Sequence, residues 1–232
     1  MNLSLSPAEW EALGLSLKVA SFSLILLFLP GIACGWFLAR KQFPGKVFVE
    51  AIVHAPLVLP PVVMGYALLF TLGRHGWFSE TFFESSLQLA FTWKAAALAS
   101  TVMGFPLMVR AVRLAIELVD VRLEQAAASL GAPPARIFWT ITFPLALPGV
   151  ITGSLLAFAR SLGEFGATIT FAGNLVGETR TLPVALFSAL QSPGGDLAAM
   201  RLALISIVIS LVALVASELL ARRVSKRLGR SA

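Results

Sequence analysis

The chain has 232 residues, of which 57% are hydrophobic and only 13% charged, with a net charge of +6 and a mean hydropathy of +0.85. A soluble domain is nearer a quarter charged, so a water-soluble globule is excluded. The basic residues punctuate long apolar blocks instead of forming one face, which argues against a nucleic-acid binder.

The N-terminal segment carries Glu9 and Glu11 and no basic stretch, so it does not read as a cleaved signal peptide. Residues 19–39 form the first uncharged block, followed by Arg40, Lys41 and Lys46. Crossing the ~30 Å hydrocarbon layer takes roughly 20 such residues, so this block is predicted to span a membrane. Cys34 lies inside it and is the single cysteine, which rules out an internal disulfide framework. Residues 51–73 make a second span containing His54, Pro56, Pro60, Pro61 and Gly65, and the prolines predict a kinked helix. The following loop carries Arg74, His75, Glu80 and Glu84. A third span is predicted over 87–109, with Lys94 near its start and Arg110 and Arg113 in the loop after it.

Residues 121–131, VRLEQAAASLG, read as a short helix outside the bilayer. Gly131 is placed to end it in a left-handed cap, and Pro133 and Pro134 enforce the break. A new helix is predicted to start at 135–143 and to run into a fourth span over 137–159. Ala126, Ala127 and Ala128 offer a face without bulk. That face suits either close approach by another protein or an ordinary solvated interfacial helix.

Residues 161–190 are predicted to hold broken or re-entrant helix, and a last span lies over 198–221, with Arg201 and Glu218 near its ends. Arg160 and Glu164 are four apart, which places them on one helix face if that segment is helical. Ionisable residues at membrane depth face a cavity or pair with one another. With Ser161 and Thr168 they are candidates for a translocation path or its gate; a salt bridge that only fixes packing is the alternative. Lys and Arg favour the cytoplasmic side. Their alternation predicts the N-terminus outside, the C-terminus inside, and the 110–136 segment in the cytoplasm. His54 reads as a packing residue, and no spacing suits a metal site. No G-x-S-x-G elbow suggests an intramembrane enzyme, and no phosphate loop suggests a motor. A stand-alone channel or carrier needs no short docking helix.

The 125–144 segment reads Gln125-Ala126-Ala127, three residues, Gly131, nine residues, Ile141-Thr142-Phe143-Pro144. It resembles the cytoplasmic signature of permeases of ATP-binding-cassette importers, E-A-A, three residues, G, nine residues, I-x-L-P. Gln125 and Phe143 depart from it, and Glu124 stands one residue out of register. The resemblance implies an all-α integral membrane protein of about five transmembrane helices. It would have the type I importer permease fold, with 1–232 as a single domain and 121–136 as its coupling segment. Glu124, Gln125, Ala126, Ala127, Gly131, Ala132 and Arg136 would contact a separate ATPase.

FPGK at 43–46, PLVLPPVVMGY at 56–66, FPLMVRAVRLAIE at 105–117, FARSLGEFGATITFAGN at 158–174, GETRTLP at 177–183 and QSPGG at 191–195 extend the likeness. Together they resemble the molybdate-transporter permeases, with tungstate or sulfate and thiosulfate permeases of the same class as the alternative. That resemblance implies a homodimer in a bacterial inner membrane, two ATPase subunits and a periplasmic molybdate-binding protein. ATP and Mg would be used by the ATPase, and the chain itself would bind no cofactor, metal or nucleic acid and hold no catalytic residue.

Overall fold

The computed structural model describes residues 5–73 and 89–227. The predicted loop residues Arg74, His75, Glu80 and Glu84, the first two residues of the predicted third span, and Arg230 in the tail lie outside the described residues. Helix α1 (Pro7–Arg40) is followed by α2 (Lys46–Val58), α3 (Pro61–Leu72) and α4 (Trp93–Glu117). The short α5 (Val121–Ser129) and α6 (Pro134–Ile137) lead through a π-turn (Phe138–Thr142) into α7 (Phe143–Leu162). Helices α8 (Gly166–Phe171), α9 (Leu182–Leu190) and α10 (Asp196–Arg227) complete the chain. Four of the described helical segments are long and apolar enough to cross a membrane, or five if the bent α2–α3 pair counts as one span.

Helix α1 starts at Pro7, well ahead of the uncharged 19–39 block that it contains. Ser6 accepts a hydrogen bond from the Glu9 amide at 3.3 Å, and Glu9 accepts one from the Ser6 amide at 2.7 Å. This reciprocal cap closes the first turn, and a salt bridge from Glu9 to Arg201 of α10 at 3.0 Å holds it against the bundle. At 34 residues, α1 measures about 50 Å, more than the hydrocarbon layer requires.

The predicted kinked second span is instead two helices meeting at 113°. Pro56 is tolerated inside α2, and the break falls at Leu59–Pro60, both extended. The residue before a proline is pushed out of the helical region, and here two prolines follow one another. Arg110 and Arg113, predicted in a loop, lie within α4. No breaker intervenes after 109, and Arg113 bridges Glu117 one turn on and Glu50 of α2, each at 2.8 Å. Asp120 caps the start of α5, and Asp196 is the first residue of α10.

Helix α4 forms the centre. Ala95, Ala96, Ala97 and Ala99 are fully buried in it, as are Met108 and Val112. Two glycine pairs spaced by four residues grip it from opposite elements. A Cβ on Gly31 of α1 would lie 2.6 Å from the Met108 side chain, and one on Gly35 would lie 2.7 Å from Val112. On α7, Gly149 and Gly153 press against Ala115 and Ala111. Between lipid-exposed helices there is little hydrophobic driving force, so such close backbone approach supplies the dispersion contact that holds them.

Candidate functional site

The short helix α5 stands out from the bundle with no buried residue. The Asp120 carboxylate accepts from the Arg122 amide at 2.9 Å and caps its start. At its end Gly131 adopts φ +84°. The Gly131 amide bonds to Ala128 O at 2.9 Å, and the Ala132 amide to Ala127 O at 3.1 Å. These two bonds are the Schellman closure, which needs a left-handed residue at that point, as predicted. A Cβ on Gly131 would meet nothing within 4 Å, so backbone conformation alone selects glycine there. Gln125, Ala126, Ala128, Leu130 and Arg136 are exposed, while Ala127 and Ala132 are half-buried.

Glu124 behaves differently from its neighbours. Its Oε1 accepts from Arg40 Nη2 at 2.8 Å and from Thr142 Oγ1 at 2.6 Å. Arg40 also donates to Val119 O at 3.2 Å. One carboxylate thus ties the projecting helix to the end of α1 and to the π-turn that opens α7. The π-turn replaces the continuous helix predicted over 135–143. It carries Thr142 to full burial beside Glu124, and such insertions recur at functional sites. Sequence reasoning missed Arg40 and Thr142 in this role, since no local spacing connects them to 124.

The second group lies where α7 ends. Helix α7 stops at Leu162, so Glu164 stands beyond the helix, yet Arg160 Nη1 still meets Glu164 Oε2 at 2.7 Å. The other carboxylate oxygen accepts the Ala167 amide at 2.9 Å and anchors the start of α8. The Glu164 side chain is 1% exposed and that of Arg160 is 28% exposed, so the arginine is the member that reaches out. Ser161 is buried, with its hydroxyl 3.1 Å from that of Ser23 on α1, and Thr101 of α4 donates to Ser23 at 3.2 Å. The Thr168 hydroxyl is buried without a partner among the described residues.

Helix α8 seats directly on α3. A Cβ on Gly65 would fall 2.7 Å from Ala167 O, and one on Gly166 would fall 2.8 Å from Pro61. The structure therefore brings the PLVLPPVVMGY and ARSLGEFGATITF stretches together through their glycines. His54, on the preceding helix, places Nδ1 2.7 Å from Glu50 O, as suits a packing residue. Among the described residues no group of three or more His, Cys, Asp or Glu is disposed to hold a metal ion.

Residues 31–226 match the family described as binding-protein-dependent transport system inner membrane component. The chain is 53% identical to the molybdenum transport system permease protein ModB of Escherichia coli K12, covering 97% of this chain and 99% of that protein. It is 50% identical to the ModB protein of Haemophilus influenzae, covering 95% and 97% respectively. In fold it resembles a solved bacterial alginate ABC transporter in complex with an alginate pentasaccharide-bound periplasmic protein. The TM-score is 0.76 at 18% identity, covering 95% of this chain and 81% of that one.

Proposed function

The chain belongs to the family of binding-protein-dependent transport system inner membrane components, and on that premise we propose that it is the membrane-spanning permease of an ATP-driven molybdate importer. The observation that carries the transporter class is α5, a capped, exposed helix joined through Glu124 to two membrane-spanning elements at once. The cargo follows from the relatives, whose names specify molybdenum transport over nearly the full length of the chain.

Hydrocarbon excludes a tetrahedral dianion, so import needs a protein-lined path that opens to one side at a time. Two copies of the chain form that path between them, with two-fold closure. A separate ATPase, holding ATP and Mg, grips each copy's α5 through Gln125, Ala126, Ala127, Gly131, Ala132 and Arg136. Glu124 faces inward and positions the helix. Movement of the ATPase then displaces α5, the end of α1 and the start of α7 as one body. Helix α7 carries this movement to Arg160, whose guanidinium lowers the electrostatic barrier to the anion. Glu164 holds that charge in place and limits trapping of the cargo. ATP binding favours the outward-open state and hydrolysis resets it. A periplasmic molybdate-binding protein delivers cargo at the far face, with the N-terminus outside and the C-terminus inside.

The test is uptake of labelled molybdate into cells or proteoliposomes containing this chain, its ATPase and its binding protein. Uptake is expected to require all three and to resist competition by excess sulfate. Uptake that persists without the ATPase rejects the importer reading, and equal competition by sulfate rejects the cargo.

A further inference from the structure

Two open cavities meet beside α5. One, of about 370 Å³, is lined on its polar side by Arg40, Lys41, Glu124, Gln125 and Thr142. The other, of about 450 Å³, runs along α1 past Ile32, Ala33 and Leu29 and is walled opposite by Trp139. Trp36, Pro134 and Phe138 border both, so together they make one groove with a cationic end and an apolar length. The charge is not balanced internally. Arg40 is neutralised by Glu124, whereas Lys41 is exposed at the end of α1 and has no ion pair among the described residues. Trp139 is 60% exposed and packs edge-on against Phe138, which meets Trp36 in the same manner. Tryptophan in that setting marks the level of the lipid headgroups. Phe138 and Trp139 are the first two residues of the π-turn.

We propose that this groove binds one anionic phospholipid, its phosphate at Lys41 and an acyl chain along α1 between Trp36 and Trp139. The occupant follows from chemistry: one uncompensated cation at headgroup level, above an apolar slot that opens to the bilayer. Basic pockets between transmembrane helices take anionic headgroups in this way. The site adjoins the Arg40–Glu124 joint, so the lipid stiffens the connection between α5 and α1. Only the leaflet, the cytoplasmic one, rests on the proposed function and topology.

The experiment is native mass spectrometry of the full-length chain extracted from nanodiscs of either phosphatidylglycerol or phosphatidylcholine, with stepwise delipidation. Wild type is expected to retain phosphatidylglycerol preferentially. Lys41→Glu is expected to reduce that retention about tenfold or more, and Ala33→Trp to reduce it by filling the slot without changing charge. Lys94→Glu, on α4 and away from this groove, is expected to leave it unchanged. Size-exclusion profiles and melting temperatures control for folding. Equal retention of both lipids overturns the proposal, as does equal loss in Lys94→Glu. Displacement by soluble glycerophosphate as effective as by the lipid makes the site a free-anion site and also overturns it. If Ala33→Trp dissociates a dimer while lipid retention is unaltered, a second copy covers the groove and the proposal fails. None of these readouts uses uptake, so they stand or fall separately from the importer reading.

Discussion

Arg40 and Glu124 lie 84 residues apart in sequence and meet through two hydrogen bonds to one carboxylate oxygen, at 2.8 and 3.2 Å. Both side chains are largely shielded, at 14% and 18% exposure. Glu124→Ala leaves the guanidinium and the Thr142 hydroxyl without this acceptor, a loss of about 1.5–3 kcal/mol for hydrogen bonds to a charged group. The expected outcome is a lower melting temperature and molybdate uptake that falls more than membrane abundance does. Stimulation of the partner ATPase by loaded binding protein is expected to fall with it. Uptake that tracks abundance alone would show the contact to be structural only.

Gly131 tests conformation apart from bulk. Its φ is +84° and nothing lies near a Cβ built there, so Gly131→Ala costs only the left-handed backbone, about 1–2 kcal/mol. Gly131→Asn is expected to cost less, because asparagine tolerates that region. Co-purification of the ATPase is expected to weaken in the order wild type, Asn, Ala. Ala127→Trp is expected to abolish it by bulk, with the helix intact by circular dichroism. Unaltered co-purification in Ala127→Trp would falsify docking through this face.

The paired glycines make a steric prediction. Gly31→Leu forces a side chain onto Met108, and overpacking of this kind costs about 1–3 kcal/mol or more. Gly14 on the same helix has nothing within 4 Å of a built Cβ. Membrane abundance is expected to drop for Gly31→Leu and to hold for Gly14→Leu. Equal abundance of the two would mean that α1 and α4 do not pack as described.

Arg160 and Glu164 separate path from packing. Arg160→Ala strands a buried carboxylate, for which about 3–5 kcal/mol is typical, so abundance alone is uninformative. Arg160→Ala combined with Glu164→Gln removes both charges and keeps an acceptor for the Ala167 amide. That double variant is expected to recover abundance but not uptake. Full uptake at normal abundance would assign the pair to packing.

Much of this architecture was legible in the chain itself. The apolar blocks, the 121–131 helix with its Gly131 cap and the disruption of the second span by its prolines all arise between near neighbours in sequence, and local sterics and hydrogen bonding suffice to read them; the Ser6–Glu9 cap is just as local but went unread. Helix ends were misjudged where charged residues continue past an apolar block, as at Arg110 and Arg113, since hydropathy reports the bilayer and not the helix. Tertiary structure alone decided which partners the local elements take: Arg40 for Glu124, Ser23 for Ser161, Pro61 for Gly166, and α4 as the helix gripped by both glycine pairs. The physical reason is range. A cap or a left-handed turn is paid for within a few residues, whereas the burial of a carboxylate is settled only by whichever distant donor the packed helices bring beside it.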